Sequence, residues 1–128
     1  EKYVEQNKER TIAFKSLGLK RYLSALQYVT AVVGNSSSGI IEVPSFGIPT
    51  LNIGDRQKGR IAASSVVHCG STYEEICQGL RDILSESPIM FSKNSMNPYE
   101  KSNTISTILS VIRDYPINNL IQKSFYNL

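Results

Sequence analysis

The stretch VVGNSSSGIIE, residues 32–42, decides how this chain is read. An apolar run ends in Gly-Asn, three serines follow, and then a glycine, two isoleucines and a glutamate. Gly34 and Gly39 have the spacing of a phosphate-binding loop, but Ile40 and Ile41 stand where that motif needs Lys and Ser or Thr. No serine here has glycine two residues away on both sides, so the stretch is not a nucleophile elbow. What remains is a strand that ends in clustered hydroxyls at the start of a helix. A helix start leaves N–H groups without partners and carries partial positive charge. Hydroxyls add donors in little space, and glycine lets a ligand approach the backbone. The pattern points to an anion, most plausibly phosphate. The competing reading is an ordinary helix cap, for which one serine is enough.

Working outward, short apolar runs alternate with helical periods. Residues 11–17, TIAFKSL, have the alternation of a short strand closed by Gly18. Residues 2–9 are polar and helix-compatible, and residues 20–28 place Tyr22, Leu23 and Leu26 at helical spacing. Residues 31–34 form a buried-type strand. Residues 38–46 read as a helix stopped by Gly47, with Pro44 expected to shorten or kink it. Strands follow over 50–53 and 65–69. Residues 72–84 are the clearest helix: Thr72 caps it, Glu74 and Glu75 fill its first turn, and Ile76, Leu80, Ile83 and Leu84 make its apolar face. A loop spans 85–97, a last amphipathic helix 99–115, and a mixed tail 116–128. Strands separated by helices imply an α/β fold with a parallel sheet covered on both faces. Ligands bind such sheets beyond the carboxyl ends of the strands. The loops at 16–19, 34–39 and 54–60 all fall at that edge.

Composition narrows the function. The 128 residues suffice for one domain, with 41% apolar and 20% charged content, an ordinary globular balance. The net charge is +3, and the 14 Lys and Arg never run four together, unlike a nucleic-acid surface. No apolar stretch approaches a membrane span. Residues 1–10 are charged from the start, so no signal peptide is visible and the opening reads like the middle of a protein. Cys69 and Cys77 lack metal-ligand spacing and read as free thiols in a reducing cytoplasm. His68 reads as structural.

Glu42 lies one turn after Ser38 on the same side of the helix. A carboxylate there suits neutral hydroxyl donors beyond the phosphate, such as a ribose diol. Favourable placement in the helix dipole is the alternative. Arg56 follows at the next strand end, where it can neutralise a diphosphate; its alternative is a solvated loop charge.

These residues together, VVGNSSSGIIEVPSFGIPTLNIGDRQKGR and the later NPYEKSNTISTIL, resemble the C-terminal part of the hydrolysing UDP-N-acetylglucosamine 2-epimerases of sialic-acid and related nonulosonate pathways. The resemblance covers residues 11–115. It implies a glycosyltransferase-B-like fold of two Rossmann-like domains with a UDP-sugar between them. Residues 1–115 would be part of the C-terminal, UDP-binding domain. By this resemblance Ser36 and Ser37, in the loop with Ser38 and Gly39, bind the diphosphate. Glu42 binds the ribose hydroxyls, Arg56 the nucleotide, and Leu17 meets the uracil through its backbone. The ligand is UDP or a UDP-N-acetylhexosamine, with no cofactor, metal, nucleic acid or membrane, and a homo-oligomer is compatible. The implied reaction eliminates UDP to give a 2-acetamidoglucal and then adds water. The acid and base carboxylates of the family belong to the N-terminal part, so no catalytic residue is expected here and the chain alone is expected to be inactive. A complete domain would also begin with two more strands, lying between residues 11–17 and the rest of the sheet. Two other readings share the local pattern: a nucleotide-sugar glycosyltransferase of the same fold, and a nucleotide-binding module without chemistry.

Overall fold

A computed structural model describes residues 1–85 and 97–116. The elements run α1 (Lys2–Gln6), α2 (Gly18–Ala25), β1 (Val32–Gly34), α3 (Ser38–Ile41), β2 (Thr50–Ile53), β3 (Val66–Cys69), α4 (Tyr73–Leu84) and α5 (Thr104–Asp114). Two 3-10 turns, Val43–Phe46 and Asp55–Gln57, follow α3 and β2. The expected loop at 85–97 lies almost wholly outside the described residues, as does the tail from 117 onward.

The three strands form one parallel sheet in the order β1-β2-β3. Val32 sits opposite Thr50, and Thr50 opposite Val66. Successive strand residues point to opposite faces, and β2 shows what each face meets. A Cβ on Gly39 would lie 2.7 Å from Thr50 Cγ2, and one on Gly79 would lie 2.5 Å from Leu51 Cδ1. Thr50 therefore faces α3 and Leu51 faces α4, so helices cover both sides of the central strand. The glycines let them sit that close. The core is Ile40, Val43, Leu51, Ala63, Val66 and Ile83, with Leu26 anchoring the end of α2. This is the α/β, Rossmann-like arrangement the alternating pattern implies.

Three elements differ from the sequence expectation. Residues 11–17 form no strand. A strand needs a hydrogen-bonded neighbour, and among the described residues none lies beside this segment. The helix expected over 38–46 is a single α turn followed by the 3-10 turn Val43–Phe46. Pro44 sits second in that turn, where its missing N–H costs nothing, and Gly47 closes it at φ 66°. The last helix starts at Thr104 rather than 99, and Ile105, Ile108, Leu109 and Ile112 on it are 52–76% exposed. Residues 97–100 instead clasp the end of α3. Asn97 Nδ2 donates to Ile41 O at 2.8 Å and to Ser45 Oγ at 2.7 Å, while Ser45 Oγ donates to Glu100 Oε2 at 2.8 Å.

Candidate functional site

The carboxyl edge of the sheet is where the three expected loops meet. The loop 34–38 leaves β1 and turns at once into α3. Ser37 is its N-cap, in helical conformation, and its side chain makes no capping bond. Ser36 Oγ accepts only a long bond from Ser38 N, at 3.4 Å. The Ser37 side chain therefore does not cap α3, and Ser36 holds the helix start only weakly. The anion reading narrows as well. Gly39 N and Ile40 N already donate to Ser36 O and Ser37 O at 3.2 and 3.0 Å. Among the described residues, the amides of Asn35, Ser36 and Ser37 donate to no backbone carbonyl, and that of Ser38 makes only the long bond to Ser36 Oγ. With α3 one turn long, its dipole adds little at this loop.

Ser38 has a second role that its sequence position does not reveal. Its hydroxyl lies 2.7 Å from Tyr22 OH on α2. Both residues line a cavity of about 650 Å³ together with Phe14, Leu17, Leu19 and Ser36. One wall, from residues 14–19, is largely apolar; the other is Val32 with Ser36 and Ser38, while Ser37, Gly39 and Glu42 do not line the cavity. Leu17, the N-cap of α2, is thereby brought beside Ser36 and Ser38.

Glu42 follows α3 directly, with its N–H bonded to Ser38 O at 3.0 Å. It stands at the carboxyl end of α3, so favourable dipole placement at that helix does not explain it. Its side chain caps neither α3 nor the following 3-10 turn. Its Oε2 is sealed from solvent with no hydrogen-bond partner among the described residues. A buried acceptor without a donor is costly and calls for one.

Arg56 is exposed on the 3-10 turn after β2 and does not line the serine cavity. Its neighbour ties the two loops together: Gln57, 3% exposed, donates from Nε2 to Asn35 O at 2.9 Å. Gly39 is held to small size by Thr50, whose Cγ2 would lie 2.7 Å from a Cβ there. Sequence reasoning gave no role to Tyr22, Gln57 or Asn97. Gln57 and Asn97 lie inside the motifs that carry the resemblance, which was their only signal. Tyr22 had none beyond its place on a helical face.

A second cavity, of about 370 Å³, lies over the ends of β2 and β3. It is lined by Asp55, Lys58, Arg60, His68 and Cys69 with Gly54, Gly59 and Gly70. Burial, and then the nearby Glu75 carboxylate, push the Cys69 thiol up from its ordinary value. His68 Nδ1 lies 3.1 Å from Asn52 Nδ2. Among the described residues no group of three or more His, Cys, Asp or Glu could hold a metal ion, and no helix is long and apolar enough to cross a membrane.

The chain is 38% identical over 114 residues to a polysialic acid biosynthesis protein, P7, of Escherichia coli, covering 88% of this chain and 29% of that protein. It is 31% identical over 121 residues to a hydrolysing UDP-N,N'-diacetylbacillosamine 2-epimerase of Legionella pneumophila, covering 94% of this chain and 30% of the relative. Over 65 residues it is 45% identical to a hydrolysing GDP/UDP-N,N'-diacetylbacillosamine 2-epimerase of Campylobacter jejuni, covering 51% of this chain and 17% of that enzyme. The chain thus spans less than a third of the length of these relatives. The family profile described as UDP-N-acetylglucosamine 2-epimerase matches residues 1–113, and the chain belongs to that family.

Proposed function

We propose that this chain supplies the UDP-binding side of a hydrolysing 2-epimerase acting on a UDP-N-acetylhexosamine. The observation that carries the reading is Glu42: a carboxylate one turn from the serine loop, with one buried oxygen that has no partner among the described residues. A ribose diol offers the two donors that such a carboxylate needs. Ser36 and Ser37 face the diphosphate, the segment around Leu17 receives the uracil, and Arg56 swings over the phosphates from the neighbouring loop. The names of two relatives, both hydrolysing 2-epimerases, support the hydrolysing type.

In this reaction a base removes the proton from C2 of the sugar, and the C1–O bond breaks with its electron pair leaving on UDP. Water then adds across the resulting double bond, OH to C1 and H to the opposite face of C2, giving the epimerised free sugar. The residues of this chain bind and stabilise the leaving group, whose negative charge grows as the bond breaks. No acid or base for C1 or C2 is assigned to them.

Calorimetric titration of the intact protein tests the reading. UDP is expected to bind, with uridine and inorganic phosphate each much weaker, because the proposed site touches both ends of the nucleotide. A protein that binds UDP no better than phosphate has no nucleotide site of this kind.

A further inference from the structure

The cavity between residues 14–19 and the serine loop has two walls, and little holds them together. Among the described residues, the bond between Ser38 Oγ and Tyr22 OH is the one side-chain hydrogen bond that joins residues 1–30 to the rest of the chain. The burial of Leu26, 2% exposed, is a second tie. Residues 11–17 pair with no strand, so no backbone ladder fixes their wall. Tyr22 lies one turn along α2 from Gly18, and Ser38 is the last serine of the loop; both line the cavity they join.

We propose that Tyr22 is a positioning residue for nucleotide binding: its hydroxyl, clasped to Ser38, sets the gap between the wall that receives the base and the wall that receives the phosphates. The proposal rests on the UDP reading given above. The Ser38 hydroxyl then serves the clasp and not the ligand, which leaves Ser36 and Ser37 to contact the diphosphate. A clasp of this kind affects a ligand that must touch both walls. It leaves alone a ligand that touches only one. It works by holding the bound geometry in advance, so its loss raises the cost of ordering the site on binding.

The test is titration of the intact protein and its Tyr22→Phe, Ser38→Ala and doubly substituted variants with UDP and, separately, inorganic phosphate. Tyr22→Phe removes one oxygen and keeps the ring, and thermal melting checks that each variant is folded. The loss of one hydrogen bond corresponds to about fivefold weaker UDP binding in either single variant. Because both variants break the same bond, the double variant should fall within about twofold of each single one. Phosphate affinity should be unchanged throughout. In turnover, KM for the UDP-sugar should rise with kcat preserved. Additive losses would make Tyr22 a direct ligand contact and overturn the clasp. Equal losses for UDP and phosphate would overturn its role in wall spacing. If the unsubstituted protein fails to bind UDP, the functional reading itself falls; if it binds and Tyr22→Phe binds equally well, only the clasp does.

Discussion

Gln57 Nε2 donates to the backbone carbonyl of Asn35 at 2.9 Å, joining the loop after β2 to the loop after β1. The bond spans the carboxyl edge of the sheet and comes from a nearly buried side chain. It fixes the turn that carries Arg56 relative to the serines. Gln57→Ala should destabilise the fold by about 1–3 kcal/mol, the usual effect of breaking a buried hydrogen bond. It should also weaken UDP binding, because the Gln57 amide positions the two loops through Asn35 O. Urea denaturation and UDP titration of the same variant check both. A destabilised variant with full UDP affinity would separate the brace from the site.

Glu42 and Arg56 should respond differently. Glu42→Ala is expected to weaken UDP binding by about 1.5–3 kcal/mol, the range for hydrogen bonds to a charged acceptor. Glu42→Gln should cost less, because the amide keeps one acceptor. Arg56 is exposed, so the loss in Arg56→Ala should shrink as salt is added. Titrations at low and high ionic strength decide this. Unchanged affinity in both alanine variants removes the nucleotide roles of these residues.

Gly39 is required by packing. A Cβ there would press on Thr50 Cγ2 at 2.7 Å, so Gly39→Ala should destabilise by about 1–3 kcal/mol, as overpacking does. Thr50→Ser deletes the obstructing methyl and should restore much of the loss when the two changes are combined. Melting temperatures of the three variants test the pair. No rescue would mean that the glycine serves something other than the contact with β2.

At the start of α4, Thr72 and Glu75 form a reciprocal cap: Glu75 N donates to Thr72 Oγ1 at 3.3 Å, and Thr72 N donates to Glu75 Oε2 at 3.1 Å. The hydrogen bonds from the Thr72 side chain, and then from its backbone, hold the Glu75 carboxyl below its ordinary value. A group depressed on folding stabilises the protein above its unfolded pKa. That contribution is lost as pH falls through the lower, folded value. Thr72→Ala should cost about 1 kcal/mol at neutral pH, and the difference from the unsubstituted protein should narrow in acid. Urea midpoints across that range measure it. A gap independent of pH would show that the cap works without the charge.

Where the sequence pattern was local, it read true. Residues 50–53 and the helix from Thr72 carry their own signals, in an apolar run and in a cap, and both form as expected. Residues 11–17 alternate correctly and still form no strand, because pairing depends on a neighbour and not on the segment itself. The helix at 38–46 was legible up to Pro44, but its division at Glu42 was not, since the 3-10 turn closes through Gly47 and the clasp of Asn97 on Ile41 O. For the candidate site, the serines and Glu42 were singled out by their pattern at a strand end, and Leu17 by the resemblance alone. Tyr22 and Gln57 were not. They act across 16 and 22 residues of chain, and only the folded backbone brings those partners together.

The contrast between β2 and residues 12–17 gives the molecule an internal clock for solvent exchange. β2 has a hydrogen-bonded strand on each side. Among the described residues, no backbone amide of 12–17 donates a bond. Deuterium should therefore enter 12–17 as soon as labelling starts, and enter β2 only when the whole domain opens. A ligand that seats against Leu17 would leave its mark on the fast segment, slowing uptake there beyond the general stabilisation that binding gives the central strand.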